Sequence, residues 1–268
     1  MVKEGLKVEL SHLRPWSFSK VQKATKCQYE FFFRYALKLE PLEKADFFVL
    51  GSGVHFVLEK ALNTAFEGRE PLSKELLFQF AEKFKETEPL ADIKKISEFF
   101  PNILSFVNGQ LKRAKGSPLV ASEIELAVDY SLNLAPYFSD SVYLRGKLDF
   151  IFSKGDTLYI VDHKTSRSLD FNNRVKTQLR WYALLASIKF PQFDRFALEV
   201  HNVRYGSIKR IIFTKKDLQG FKDRLFPLLS QIESQYVGKE FRELQPSPCE
   251  ANCQWCEYRH VCPLGSLD

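Results

Sequence analysis

The residues best suited to chemistry in this chain lie in two short apolar segments near its centre. Asp149 lies in the first segment, and Asp162, His163 and Lys164 end the second. Residues two apart in a β-strand point to the same face, so Asp162 and Lys164 are predicted to project together, with His163 on the opposite face. Two carboxylates beside a lysine can hold a hard divalent cation and orient a water molecule against a phosphodiester. This arrangement predicts a hydrolytic metal centre.

A simpler interpretation treats these side chains as solvated charges at strand ends. Aspartate, however, is disfavoured within strands, and a charge removed from water usually has a partner. Asp149 is followed by Phe150-Ile151-Phe152, and Asp162 follows Leu158-Tyr159-Ile160-Val161. Both carboxylates therefore interrupt or end runs that are typical of buried strands. This position favours a metal-binding site over solvated surface charges.

The composition sets broad limits on the class of protein. The chain has 268 residues, 45% of them hydrophobic, which suffices for one large domain or for a core with an appendage. Its formal net charge of +6 fits a polyanionic partner without requiring one. No run of about 18 apolar residues predicts a membrane span, and residues 1–7 lack the apolar centre of a signal peptide. We therefore expect a cytoplasmic protein without a membrane partner.

Hydrophobic periodicity predicts three regions: an N-terminal helical region over residues 1–118, an α/β core over 119–245 and a cysteine-rich tail over 246–268. The predicted helices are 16–40, 51–66, 73–88, 93–114, 173–189 and 214–237. The predicted strands are 119–128, 143–152, 157–162, 196–204 and 208–213. Gly51-Ser52-Gly53 is predicted to be a turn that opens the second helix, and Pro101 is predicted to split or kink the fourth.

The five cysteines are unevenly placed. Cys249, Cys253, Cys256 and Cys262 fall within fourteen residues, whereas Cys27 lies far upstream. Four thiolates from one local segment can hold Zn²⁺, so the tail alone could supply a zinc site without Cys27.

Several of these segments together resemble the PD-(D/E)xK nuclease superfamily, in particular its RecB-like and Cas4-like branch. The resemblance covers nearly the whole chain and lies in residues 17–33, 50–55, 122–123, 146–149, 161–165 and 178–182. It implies a restriction-endonuclease-like core, with a central mixed sheet flanked by helices.

The resemblance also implies a set of metal ligands. His55, Asp149 and Asp162 would bind the metal, and the backbone carbonyl of His163 could complete the shell. A mixed histidine and carboxylate site suits Mg²⁺ or Mn²⁺, and the histidine favours manganese. The ligand count supports one metal and leaves a second open.

Further catalytic roles follow from the same resemblance. Lys164 would orient the attacking water or stabilise charge on the phosphate. Gln178 and Tyr182, four residues apart on one helix face, would position the substrate or the lysine. Glu123 would join the catalytic group or act through the metal ligands.

Iron–sulfur members of the branch join one N-terminal cysteine to a C-terminal CxxC-x5-C motif. By resemblance, Cys27, Cys253, Cys256 and Cys262 would hold a 4Fe–4S cluster with a structural role. Cys249 has no place in this pattern, which keeps the zinc alternative open.

The function implied is a metal-dependent DNA nuclease, with an exonuclease acting on single strands or DNA ends favoured. Both a Cas4-like role in CRISPR spacer acquisition, with integration-complex partners, and a RecB-like role in recombinational repair, with a nuclease or helicase partner, fit the resemblance. The alternative is a non-catalytic DNA-binding or scaffold subunit stabilised by the cluster or by zinc. The tryptophans Trp16, Trp181 and Trp255 could stack on unpaired bases or belong to the core.

Overall fold

A computed structural model describes residues 5–41, 46–68, 72–248 and 253–265. They group into two compact units, each built from separated stretches of the chain. The first unit contains the described residues of Met1–Lys44, Ala127–Gly146 and Gly220–Asp268, and the second those of Ala45–Leu126 and Lys147–Gln219. The predicted division of the chain at residues 118 and 245 stays a prediction.

Helices make up most of the regular structure in the described residues. Their bounds are Leu10–Leu13 (α1), Phe18–Lys26 (α2), Gln28–Phe31 (α3), Asp46–Glu67 (α4), Lys74–Thr87 (α5), Ile93–Ser97 (α6), Phe100–Arg113 (α7), Asn173–Lys189 (α8) and Lys215–Tyr236 (α9). A π-helical segment, Phe32–Ala36, continues α3, and a 3-10 turn covers Phe241–Glu243. No helix of the described residues is long and apolar enough to cross a bilayer.

Five strands form one mixed sheet in the order β1-β2-β3-β4-β5. The strands are Val120–Val128 (β1), Leu144–Lys154 (β2), Thr157–Lys164 (β3), Arg195–Asn202 (β4) and Ser207–Thr214 (β5). The β2–β3 and β4–β5 pairs are antiparallel, and β3 pairs with β4 in parallel. Because α8 connects the two parallel strands and contacts both, the sheet carries a crossover helix. This architecture confirms the predicted α/β fold with a mixed sheet flanked by helices.

The core of the second unit lies between helices α4 to α7 and the middle of the sheet. Its buried side chains include Val54, Val57, Leu58, Leu77, Ala81, Ile96, Phe99, Ile103, Phe106, Phe150, Phe152 and Val161. The apolar stripe predicted for the second helix is therefore confirmed from Val54 to Leu62. Burial of this stripe positions α4, and with it His55, against the sheet.

Two predicted boundaries are wrong. The Gly51–Gly53 segment is not a turn, because α4 begins at Asp46 and runs through it. Gly53 is closely packed instead, since a Cβ atom there would lie 2.5 Å from Ile96 Cδ1. The predicted helix over 16–40 is interrupted at Cys27, whose backbone is extended (φ −159°, ψ 121°). The split near Pro101 is confirmed, with the proline in the first turn of α7.

The first unit is packed around aromatic side chains. Trp16, Phe31 and Tyr236 are buried, and the Tyr236 hydroxyl donates to the Ala24 carbonyl at 2.7 Å. Trp16 Nε1 donates to Glu233 at 3.0 Å. Trp16 is thus a core residue with a satisfied polar atom, and it has no face to offer a nucleic-acid base.

Candidate functional site

The antiparallel pairing of β2 and β3 brings Asp149 next to the end of β3. Phe150 pairs with Val161, and the backbone N–H of His163 donates to Asp149 Oδ2 at 2.7 Å. The Asp149 carboxylate is therefore held in place by backbone geometry and not by a neighbouring cation.

Asp162, Lys164, Gln178 and Tyr182 form one hydrogen-bonded network. Lys164 Nζ lies 2.7 Å from Asp162 Oδ2, although this close ion pair lacks hydrogen-bond geometry at that buried oxygen. Gln178 Nε2 donates to Asp162 Oδ1 at 3.1 Å and to the Tyr182 hydroxyl at 2.9 Å, and its Oε1 accepts from Lys164 Nζ at 3.0 Å. The Gln178 side chain thus fixes both Asp162 and Lys164. Gln178 lies on α8, whose N-terminus is capped by Asn172.

His55, Glu123 and Asp149 form a second group. Each offers a ligand atom, and these atoms all lie within 4.8 Å of one another. His55 Nδ1 lies 3.7 Å from Asp149 Oδ2. Glu123 has a positive φ of 53° in the middle of β1, which is unfavourable for a residue other than glycine. Strain of this kind is typical of functional positions, because the surrounding structure must hold the residue there.

Burial and mutual repulsion dominate the electrostatics. Burial, followed by the nearby Asp162 charge, raises the pKa of Asp149 well above its usual range, against the opposing effects of the His163 N–H and Lys164. Burial lowers the pKa of His55, although Asp162 opposes this effect. A histidine with a lowered pKa is neutral at physiological pH, which is the form that binds metals.

These donors fit a hard divalent cation. The closely grouped carboxylates repel one another, and Lys164 Nζ, 2.7 Å from Asp162 Oδ2, offsets the charge of Asp162. A cation bound by His55, Glu123 and Asp149 would offset that repulsion with oxygen and imidazole ligands suited to Mg²⁺ or Mn²⁺. Asp162 lies in the ion pair with Lys164 and does not belong to the three-residue group.

The His163 side chain points to the face of β3 opposite Asp162 and Lys164, as the strand alternation predicts, and its ring centroid lies 6.1 Å from that of His55. Its Nδ1 lies 3.1 Å from His201 Nδ1, and Phe106 stacks on the His201 ring at 3.9 Å. Burial lowers the pKa of both histidines, that of His201 to about 3. His201 and Phe106 were not predicted as site residues, because only the parallel pairing of His163 with His201 brings these strands together.

A family model matches residues 15–263 of the chain, and it describes the PD-(D/E)XK nuclease superfamily. The chain belongs to the PD-(D/E)XK nuclease superfamily. Its mixed sheet flanked by helices is the restriction-endonuclease-like core of that superfamily. Members are metal-dependent nucleases, so membership implies a divalent metal and a nucleic-acid substrate.

Two solved structures are similar to this superfamily member. The crystal structure of SSO0001 shares 15% identity, with a TM-score of 0.35 over 78% of this chain and 96% of that chain. A protein named as a putative exonuclease from Eubacterium rectale shares 14% identity, with a TM-score of 0.49 over 94% of this chain and 91% of that chain. Comparison with curated proteins finds no match. The family assignment therefore depends on the family model.

Four cysteines of the first unit surround one small cavity. Cys27, Cys253, Cys256 and Cys262 line it together with Phe33, Glu30, Tyr29, Pro246 and Pro248, and its volume is about 30 Å³. All four are partly buried, and none of these four forms a disulfide. Burial raises the pKa of Cys256 and of Cys262, so thiolates there would need a cationic partner. Cys249, the fifth cysteine, lies outside the described residues.

Cys27 reaches this cavity because the helix breaks at that residue. Its extended backbone ends α2 and begins α3, so Cys27 is the cap between two helical segments. Gln28 and Gln245 are also joined, since the Gln245 N–H donates to Gln28 Oε1 at 2.7 Å. Within the first unit, residues 27–28 and the segment after residue 244 are therefore neighbours.

Proposed function

We propose that this protein is a metal-dependent DNA nuclease, with exonuclease activity on single strands or DNA ends. The observation that carries the proposal is the meeting of two groups at one cleft. His55 and Asp149 line it and form a ligand group with Glu123, and Gln178 holds Lys164 beside Asp162. The superfamily supplies the nuclease class. The preference for DNA and for ends comes from the RecB-like and Cas4-like resemblance of the sequence.

Each polar side chain has a defined part in the proposed reaction. A divalent cation, when bound by His55, Glu123 and Asp149, with Asp162 and the His163 carbonyl as further candidate ligands, would neutralise phosphate charge and lower the pKa of a bound water. Lys164 donates hydrogen bonds to the phosphate or to the attacking water.

Gln178 and Tyr182 act by positioning. Gln178 accepts from Lys164 Nζ and donates to Asp162, so it fixes the distance between the lysine and the carboxylate. Tyr182 accepts from Gln178 Nε2 and thereby restrains the rotamer of that amide. Loss of either side chain would loosen the orientation of Lys164 without removing a ligand.

Anaerobically purified protein, strand-labelled substrates and added Mg²⁺ or Mn²⁺ test the proposal. We expect cleavage of DNA that stops with EDTA, and at least about 100-fold slower cleavage by Lys164→Ala and Asp162→Ala. Lys83→Ala, which removes an exposed lysine on α5, serves as the matched control. Undiminished cleavage by both site variants would refute the site assignment. DNA binding without cleavage would instead favour the non-catalytic scaffold subunit.

We also propose that Cys27, Cys253, Cys256 and Cys262 hold a 4Fe–4S cluster. The four side chains line one cavity, so Cys27 joins the three tail cysteines as the iron–sulfur resemblance implies, which supports the cluster. A zinc site made by the tail alone would need Cys249 in place of Cys27. The cluster would close a loop from residue 27 to residue 253 and so stabilise the first unit.

Iron, sulfide and zinc content of the purified protein separates the two cofactors. A cluster gives brown protein with iron and sulfide in equal amounts, whereas zinc gives colourless protein. Cys27→Ser should lose iron, and Cys249→Ser should keep it. The opposite pattern would assign a tail-only site that includes Cys249.

Two cellular roles follow from the resemblance, and each implies a different partner. A Cas4-like protein would trim DNA ends for spacer acquisition beside a CRISPR integration complex, whereas a RecB-like protein would act beside a helicase in recombinational repair. Co-purification with integration proteins supports the first role, and stimulation of cleavage by a helicase on long duplexes supports the second.

A further inference from the structure

Two phenylalanines are exposed in the first turn of α4. Phe47 and Phe48 are 54% and 50% exposed, and their ring centroids lie 4.3 Å apart. Three valines further along this helix, Val49, Val54 and Val57, are buried. Exposure of two adjacent aromatic rings to water is unfavourable, and such a patch is typical of a binding surface.

The aromatic pair lines the same cleft as His55 and Asp149 of the ligand group. This cleft, of about 740 Å³, is lined along α4 by Phe47, Phe48, Gly51, Ser52 and His55. Phe48 precedes His55 by seven residues, which is two helical turns and about 10 Å along one helix face. That length equals about three stacked nucleotides at 3.4 Å each.

The rest of the cleft has the chemistry of a nucleic-acid backbone site. Arg174 and Lys209 line it, and so do the hydroxyl residues Ser166 and Ser168. Cations and hydroxyls suit phosphates and sugars, whereas aromatic faces suit bases. Because bases inside a duplex already stack on one another, exposed rings favour a strand whose bases are unpaired.

We propose that Phe47 and Phe48 form a stacking platform for unpaired bases of the substrate, about three nucleotides from the phosphodiester at the catalytic centre. This inference rests on the proposed nuclease function and specifies its substrate class. The substrate is a single strand, or the overhanging or frayed end of a duplex. The platform orients the strand so that one phosphate reaches Lys164.

Binding of a fluorescent single-stranded oligonucleotide in EDTA, followed by anisotropy, tests the platform without catalysis. The double variant Phe47→Ala/Phe48→Ala should raise Kd by about tenfold or more, and should change the Kd of a blunt duplex less. Phe78→Ala, which removes an exposed ring on α5, is the control and should bind like wild type. An unchanged single-strand Kd in the double variant would overturn the proposal.

Two further variants separate stacking from general apolar contact. Phe47→Trp/Phe48→Trp keeps the aromatic faces and should retain binding, whereas Phe47→Leu/Phe48→Leu keeps only the apolar surface and should not. Full binding by the leucine variant would reject base stacking.

A monomer–dimer equilibrium that disappears in the alanine variant, with unchanged DNA binding, would assign the patch to a second copy of the chain. Failure of the wild type to cleave would reject the nuclease function, while a Kd that still depends on both rings would uphold the platform.

Discussion

Asp149 accepts a hydrogen bond from the His163 backbone at 2.7 Å, and this contact joins one candidate ligand, on β2, to the lysine-bearing end of β3. The contact supplies no positive charge, so the buried Asp149 carboxylate depends on a bound cation for full compensation. The charge of Asp149 should therefore destabilise the metal-free protein.

Asp149→Asn should stabilise the metal-free protein. The amide oxygen can still accept from the His163 N–H, and loss of the charge removes both its desolvation cost and the repulsion from Asp162 that raise the pKa of Asp149. In EDTA we expect a gain of about 1 kcal/mol or more, seen as a Tm higher by about 2–4 °C. Wild type should gain further stability from Mn²⁺, and the variant should not. Asp140→Asn, at an exposed aspartate, is the control. A lower Tm for Asp149→Asn in EDTA would contradict this account.

Glu123→Asn should keep stability while cleavage falls. Asparagine tolerates a positive φ better than glutamate does, so the strain at φ 53° is relieved by up to about 1 kcal/mol. The lost ion pair with Lys147 is half-exposed and worth less than about 1 kcal/mol. Glu123→Gln keeps the strain and loses the charge, so it should be less stable than Glu123→Asn. Equal stability of the two variants would show that the backbone strain has no energetic weight.

Local patterns predicted much of this structure. Helix α8 over Asn173–Lys189 agrees with its predicted bounds because Asn172 caps it and its apolar positions recur at helical spacing. The turn between β2 and β3 was predictable from Gly155, whose φ of 60° favours glycine. Asp162 and Lys164 lie on one face of β3 because alternation requires it, and the network with Gln178 joins them.

What local patterns could not show is decided by tertiary contact. Gly53 has the sequence signature of a turn, but it serves the packing of α4 on Ile96, which is 43 positions further along the chain. The contact of His163 with His201 requires the parallel register of β3 and β4. Phe47 and Phe48 resemble core residues by type, and only their exposure marks them as a surface.

Gly53→Ala should destabilise the second unit although alanine favours helices. Its Cβ would lie 2.5 Å from Ile96 Cδ1 and 3.0 Å from Phe84 Cε1, inside the core. Overpacking of this kind costs about 1–3 kcal/mol, of which better helix propensity offsets about 1 kcal/mol. Gly109→Ala is the matched control, since nothing lies within 4 Å of its Cβ, and it should stabilise by about 0.5–1 kcal/mol. Chemical denaturation measures both.

A double variant identifies the clashing atom. Ile96→Val removes Cδ1, so Gly53→Ala/Ile96→Val should be more stable than the sum of the two single changes predicts. Strict additivity would mean that Ile96 moves aside and that Gly53 is retained for another reason.

Lys20→Met should stabilise the first unit at neutral pH. Lys20 is only 8% exposed, and its Nζ lies 4.7 Å from the Tyr35 ring centroid. Burial, followed by repulsion from Arg145, lowers the pKa of Lys20 from 10.5 to about 7. Between these values the unfolded chain binds more protons than the folded one, so wild-type stability rises with pH from about 7 to 10. Below pH 7 Lys20 is protonated in both the folded and the unfolded state, so the full cost of burying its charge reduces the stability.

The difference between wild type and Lys20→Met isolates this contribution from other titrating groups. At pH 6.5 the variant should be more stable by about 2–4 kcal/mol, and the difference should shrink by pH 9.5. Lys20→Arg provides the opposite test, because a guanidinium cannot lose its proton and should destabilise the protein at both pH values. Denaturation curves at the two pH values measure all three proteins. If Lys20→Met were less stable than wild type at pH 6.5, the attraction of the ammonium to the Tyr35 ring would outweigh the cost of burying the charge. Lys20 would then be a stabilising cation.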